Sequence, residues 1–140
     1  MKKRSFWIAL ACIVALSCVS ISFTESKPKV NPRQIVGVWK IVYPQMQEVN
    51  GERMEKIKII TKKRFVWILT SNHRVLGELG GTYTFDGETY TEHIEYGLTS
   101  MNPHYFGSSV ALKVSFKNNK MYASGQFGNE VYDEIWERVE

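Results

Sequence analysis

The sequence predicts an all-β domain: an eight-stranded antiparallel up-and-down barrel with a short turn of helix before its first strand. Three observations point to it. From residue 36 onward apolar and polar residues alternate with a period of two, and no window of helical periodicity is long enough for an α-helix. Asn50-Gly51, Asp86-Gly87, Asn118-Asn119 and Gly128-Asn129 fall at hairpin spacing and supply the positive φ that two-residue loops require. Eight strands joined mainly by hairpins form a meander, and closing a meander removes both exposed edges.

In chain order, residues 1–22 read as an export signal. Met1-Lys2-Lys3-Arg4 is a basic start, Phe6 to Leu16 an apolar run, and small residues follow around Ser17, Cys18, Ser20 and Ser22. Apolar sequence continues to Phe23, as in a retained anchor, but the interrupting serines and the short apolar core favour a cleaved signal over a span of about 20 residues. Cys18 follows Val14-Ala15-Leu16-Ser17, a loose version of a bacterial lipobox with its leucine one position too close to the cysteine. Two readings stay open there, a lipoprotein anchored at Cys18 and a soluble periplasmic or secreted protein. Residues 23–30, with Lys27-Pro28-Lys29, form a polar linker, and the domain occupies 31–140. Asn31-Pro32 sets a capping residue before a proline suited to the first helical position, hence a short turn before Gly37. Strands are expected at 36–48, 53–60, 64–70, 76–85, 88–96, 110–117, 120–127 and 130–138, with one long connection at 97–109.

The net charge of +4 does not mark a nucleic-acid binder. Three of the 18 basic residues are Lys2, Lys3 and Arg4, and no acid precedes Glu25, so the mature chain carries 15 basic against 14 acidic side chains. Both cysteines, Cys12 and Cys18, lie in the export segment, which leaves the domain without a disulfide, a thiolate nucleophile or a cysteine-ligated metal. Neither a metal nor a cofactor is expected. His73, His93 and His104 fall in different segments with no short-spaced ligand pair, although His93 and Glu95 share a face.

Hairpin counting assigns the faces. With Asp86-Gly87 as a two-residue loop, Tyr83, Phe85, Tyr90, Glu92, Ile94 and Tyr96 lie on one side, and the aromatic side is the interior; His93 and Glu95 then face solvent. The same counting around Asn118-Asn119 groups Leu112, Val114, Phe116, Met121 and Ala123, and around Gly128-Asn129 it turns Phe127, Tyr132, Glu134, Trp136 and Arg138 inward. The first three strands stay undecided, because Pro44 is able to introduce a bulge and the Ile57, Ile59 and Phe65, Trp67, Leu69 sets conflict. Gly80-Gly81 reads as a bend in a strand, of the kind a small barrel needs to close.

Gly37-Val38-Trp39, on the first strand after a short turn, resembles the Gly-x-Trp signature of lipocalins and the wider calycin group. The resemblance implies that Trp39 plugs the closed end and that Arg138 packs over its ring. The stretches Gly80-Gly81-Thr82-Tyr83-Thr84-Phe85, Thr89-Tyr90-Thr91-Glu92-His93-Ile94-Glu95-Tyr96 and Glu134-Ile135-Trp136-Glu137-Arg138-Val139 look like a family of small secreted lipocalin-like bacterial proteins of unassigned function. No helix follows the last strand and there is no room for long loops, so inference from full-size lipocalins rests on fold analogy.

The polar residues on the inner face point to the site. A carboxylate among aromatics must be neutral, paired or facing water in a cavity. The ligand-binding set is Glu92, Tyr83, Tyr90, Tyr96, Tyr132 and Glu134, with Glu134 paired to Arg138 and Glu92 accepting from a tyrosine hydroxyl if both are merely structural. Met101, Tyr105 and Phe106 in the 97–109 connection are placed to form a lid. The leading reading is a monomer holding a small hydrophobic or amphipathic ligand inside the barrel, without nucleic acid and touching membrane only through a lipid at Cys18. The alternatives are an envelope interaction or inhibitor protein using an outer face with Val131, Ile135 and Val139, and an enzyme with Glu92 or Glu134 as acid or base.

Overall fold

A strand whose two edges both find partners closes a sheet into a barrel, and the first strand here does so. The computed structural model describes residues 30–46, 48–49, 51–98 and 103–140; the segment expected to direct export, most of the expected linker and Met101 lie outside these. Strand β1 (Gly37–Tyr43) pairs on one side with β3 (Glu52–Ile60) and on the other with β9 (Glu130–Arg138). Between them β4 (Arg64–Ser71), β5 (Arg74–Phe85), β6 (Thr89–Gly97), β7 (Ser109–Lys117) and β8 (Lys120–Phe127) follow as neighbours in chain order, all antiparallel. The result is a closed eight-stranded up-and-down barrel, and the two-residue β2 (Glu48–Val49) adds a short ladder to β3.

The predicted first strand, 36–48, is two pieces. β1 ends at Tyr43, a cis Tyr43–Pro44 bond follows, and the chain resumes pairing at Glu48. A proline has no N–H for the ladder, so the strand stops before it. Turns behave as their residues require: Asn72-His73 and Asn118-Asn119 hold φ of 45°, 61°, 51° and 60°, the left-handed pairs of type I′ hairpins. The turn at Asp86-Gly87 is longer than two residues. Asp86 Oδ1 accepts from the backbone N–H of Glu88 at 2.9 Å and of Thr89 at 2.7 Å, and pairing begins at Phe85 with Tyr90. Tyr83 therefore faces Glu92, two residues on from the predicted partner, and an even shift leaves the inner face unchanged.

Tyr96 is the exception. Gly81 pairs with Ile94 but Gly80 with Tyr96, so Glu95 is an extra residue and the parity of β6 reverses there. Tyr96 lies 44% exposed on the outer face, its ring against Gly80, and does not belong to the interior set. The bend at Gly80-Gly81 exists for a steric reason, since a Cβ on Gly81 would stand 1.9 Å from the His93 carbonyl oxygen.

Which end is closed follows from the turn of 3-10 helix η1 (Pro32–Ile35), capped by Asn31, whose side chain accepts from Arg33 N–H at 3.0 Å. Ile35 and Trp39 are fully buried there, and Trp39 Nε1 donates to the Ile35 carbonyl at 2.9 Å. The Arg138 guanidinium lies 4.2 Å from the centroid of the Trp39 ring and donates to the carbonyls of Val36, at 2.8 Å, and Gln34. Gly37 makes this possible: its φ is +152°, and a Cβ there would stand 2.1 Å from Arg138 Nη1. Gly37→Ala is expected to lower the unfolding free energy by about 1–3 kcal/mol from backbone strain, with the displaced guanidinium adding to the loss. Gly107→Ala, at φ +76° with open space around it, carries strain alone. Urea unfolding of the two variants checks this, and equal losses would show that the guanidinium contact contributes nothing.

Candidate functional site

At the other end the barrel is hollow. A cavity of about 170 Å³ lies between the strands, walled by Leu79, Ile94, Val110 and Leu112 and by the rings of Trp67, Tyr105 and Tyr132. Its polar groups arrive from three strands. β3 turns Lys56, Lys58 and Ile60 inward, β6 supplies Glu92, and β9 supplies Glu134.

Four charges inside a barrel are tolerable only as pairs, because an isolated ion out of water costs several kcal/mol. The deeper pair is Lys58 Nζ with Glu92 Oε1 at 2.7 Å, their side chains 3% and 7% exposed. The Lys58 ammonium also sits over Trp136 at 4.7 Å and Tyr90 at 5.6 Å from the ring centroids. Nearer the open end, Lys56 Nζ donates to Glu134 Oε1 at 3.1 Å and lies over Trp67 at 4.8 Å and Trp136 at 5.4 Å. Glu134 Oε2 accepts from Trp136 Nε1 at 3.1 Å, so both oxygens of that carboxylate are used. Burial pushes the Glu134 carboxyl up, but the charges of Lys58 and Lys56 and its two hydrogen bonds outweigh burial and hold it below the usual carboxylate range.

Glu92 is less well served. Its Oε1 is an ion-pair partner of Lys58 by distance, yet it receives no hydrogen bond of good geometry, and the neighbouring Tyr90 hydroxyl is also without a partner. Burial, then the charge of Glu92, pushes the Tyr90 phenol well above its ordinary value. At the rim, Tyr105 from the 3-10 turn η2 (Pro103–Tyr105) stacks on Phe127 at 5.3 Å and shares a hydrogen bond of 2.6 Å with the Tyr132 hydroxyl. Both phenol oxygens are also within hydrogen-bonding reach of Glu130 Oε2, Tyr132 at 2.8 Å, so two O–H protons are shared among the three contacts. Burial chiefly, then its hydrogen bonds to Tyr105 and Glu130, raises the Tyr132 phenol, and the two hydroxyls hold Glu130 low.

The structure brings Glu92, Glu134 and Tyr132 to the cavity and buries Tyr90 beside Glu92. Tyr83 shares their face but sits nearer the closed end, where its hydroxyl donates to the Thr61 carbonyl at 2.7 Å. The anticipated Glu134–Arg138 pair does not form, since Arg138 is committed to Trp39 and the η1 carbonyls; Lys56 takes its place. Glu92 pairs with Lys58 rather than accepting a well-formed hydrogen bond from a tyrosine. On the outer face Glu95 binds Arg64 at 2.8 Å and Thr82 at 3.1 Å, and His93 Nδ1 lies 2.8 Å from Ser109 Oγ. On the outer face of β9 Val131 is exposed near its start and Val139 just past its end, about 26 Å apart along an extended strand, with the partly buried Ile135 midway between them. Among the described residues no group of three His, Cys, Asp or Glu side chains is placed to hold a metal ion.

Sequence reasoning missed Lys56, Lys58 and Trp67. On β3 the lysines alternate with Ile57 and Ile59, and hydropathy alone turns the isoleucines inward. The available signal was the need of two interior carboxylates for two interior cations.

Fold and site together define a closed antiparallel β-barrel with a small, charge-lined internal cavity. The chain belongs to the family described as a domain of unknown function, DUF4488, whose model matches residues 34–140. No curated protein and no solved structure matches the chain.

A carboxyl held low in the folded state stabilises the fold at pH above its unfolded value of about 4.5, and that contribution disappears as pH falls through the folded value. Glu134→Gln is therefore expected to lose about 3 kcal/mol at pH 7, where it strands Lys56, and progressively less below pH 4.5 as the wild-type carboxylate is protonated. Urea titrations across pH 3 to 7 test this. A difference that stays constant with pH would mean that Glu134 does not depend on its ionised state.

Proposed function

We propose that this barrel holds one small amphipathic molecule in its interior, in the manner of a lipocalin-like carrier, and that it does so outside the cytoplasm. The observation that carries the reading is the cavity itself: about 170 Å³ of space with an apolar wall and two ion pairs on one side, in a small barrel whose other end is plugged by the buried Ile35 and Trp39. Barrels of eight strands either fill their interior with side chains or hold one small ligand. Here the closed half is filled and the open half is not. Export follows from the basic and apolar start of the chain, with lipid attachment at Cys18 as the form of the proposal that would tether the barrel to a membrane.

Two features argue against catalysis by the interior carboxylates. Glu134 is held ionised, which unsuits it as a general acid, and both of its oxygens are occupied.

A cavity that binds is a cavity that can be blocked. Toluene and phenol at ten times their dissociation constants are expected to stabilise the protein by about 1.4 kcal/mol each. Val110→Phe, which places a ring in the space beside Val110, is expected to keep the fold and lose that response. Thermal unfolding and tryptophan emission, with Trp67 in the wall, read both effects. Unchanged curves for the wild type across both probes would mean a closed interior and end the proposal.

A further inference from the structure

We infer that the closed end of the barrel is a basic surface for an anionic membrane, set among phosphate headgroups, so that the mouth of the cavity points away from the lipid. The inference goes beyond the cavity reading and does not depend on what the cavity holds.

The nearly balanced charge of the chain hides an uneven distribution. Among the described residues, Lys40, Lys56, Lys58, Arg64, Arg74 and Lys113 each form an ion pair. Arg138 is committed to Trp39 and to backbone carbonyls. The basic side chains that remain are Arg33, Arg53, Lys62, Lys63, Lys117 and Lys120, and all but Arg53 stand at the closed end. Lys62 and Lys63 lie in the turn after Ile60, the residue that pairs with Gly37. Lys117 and Lys120 flank the β7–β8 turn, whose Asn119 carbonyl accepts from the Arg138 backbone N–H at 3.1 Å. Arg33 belongs to η1, and only Lys120 of these five is half-buried. The acids set against them at this end are Asp86, Glu137 and Glu140, and Asp86 Oδ1 is turned to its own backbone. The open end has no such excess, since Arg53 and Arg74 stand there with Glu48, Glu52 and Glu130.

The closed end also offers a shape. A cleft of about 310 Å³ beside the β7–β8 turn is bordered by Lys117, Lys120 and Arg138 and by the amide side chains of Gln34, Asn118 and Asn119, with no carboxylate in its wall. Arg138 gives N–H bonds to the carbonyls of Val36, Gln34 and Glu140, and a guanidinium carries five N–H groups, so donors are left over. Cations and amides without a carboxylate suit the oxygens of a phosphate group.

A membrane fits better than a small anion. Arg33, Lys62 and Lys63 lie outside the cleft, and a single phosphate in it would leave them unused. A sheet of headgroups meets all five cations at once. The direction of the chain agrees. It enters the barrel at this end, where Val30 N–H donates to the Gly87 carbonyl at 2.9 Å, and Lys27 and Lys29 precede Val30 in sequence. From Cys18 to Val30 a fully extended chain reaches about 40 Å, so a lipid at Cys18, as proposed above, would bring the closed end and not the mouth to the bilayer. Each lysine or arginine near an anionic surface strengthens partitioning about fivefold, and salt screens the attraction.

Vesicle sedimentation tests this on protein lacking residues 1–22, so that the apolar start cannot itself insert; the strands that close the barrel all lie between 37 and 138. Vesicles of phosphatidylcholine are compared with vesicles containing about one-third phosphatidylglycerol, at about 50 and about 300 mM salt. The expected result is at least tenfold tighter partitioning onto the anionic vesicles at low salt, lost at high salt. Lys62→Gln and Lys117→Gln, both exposed, are each expected to weaken it about fivefold, whereas Arg53→Gln, the same change of charge at the other end, leaves it within about twofold. Equal partitioning onto the two kinds of vesicle, or an equal loss in Arg53→Gln, overturns the inference. Displacement from the vesicles by inorganic phosphate at matched ionic strength would assign the cleft to a small soluble anion, and equally tight binding of a DNA duplex would mark a surface for any polyanion; either result overturns the membrane assignment. All of these outcomes leave the cavity reading, tested by toluene and phenol, as it stands.

Discussion

Every interior charge in this barrel is held by a partner on another strand, and this requirement fixes more of the structure than any single apolar contact. The Lys58–Glu92 pair links β3 to β6 across the barrel, and the Lys56–Glu134 pair links β3 to β9. A slip of one residue in β3 would turn both lysines out and leave two carboxylates buried without cations. The same slip would bring Ile57 and Ile59 inside, which hydropathy alone would welcome. The register observed therefore reflects electrostatic pairing set against a local apolar preference. Trp136 stands between the pairs, its ring under both ammoniums and its N–H on Glu134, so one side chain serves both.

The two ends of the barrel do different physical work. At the closed end the chain is over-determined: Gly37, Trp39, Ile35 and Arg138 lock the turn of η1 to the start of β1 and the end of β9. At the open end hydrogen bonds replace packing. Tyr105, Tyr132 and Glu130 are tied through hydroxyls, and the 97–109 connection is fastened to β6 through Gly107 N–H to the Ile94 carbonyl and Ile94 N–H to the Ser108 carbonyl, both at 3.0 Å. Hydrogen bonds at a partly exposed rim are exchangeable with water at small net cost.

Much of this architecture was legible in the sequence because hairpins convert short-range chemistry into register. Asn118-Asn119 and Gly128-Asn129 fix β7, β8 and β9, and Asp86-Gly87 fixed the inner face of β5 and β6 even though its loop is longer than two residues, since an even shift preserves parity. Tyr96 was misplaced for the complementary reason: a one-residue bulge at Gly80-Gly81 reverses parity, and nothing in the alternation announces where it falls. Glu134 illustrates a different limit. Arg138, on its own strand, was the nearest cation in sequence, whereas Lys56, 78 residues away, is the partner in space. Barrel closure sets that pairing, and closure depends on the number of strands and their stagger together.

Glu92, held by its ion pair with Lys58, and the Tyr90 hydroxyl beside it bear on why the interior is polar at all. A barrel built only for stability would place apolar residues at both 58 and 92, because a buried ion pair is rarely more stable than apolar packing of the same volume, whereas replacing Glu92 alone would strand Lys58. Here a glutamate is retained beside a tyrosine hydroxyl that has no well-formed partner, and Lys58 is needed to hold the charge. Both ion pairs line the cavity, so the polarity retained against an apolar alternative is also the polarity that an occupant of the cavity would meet.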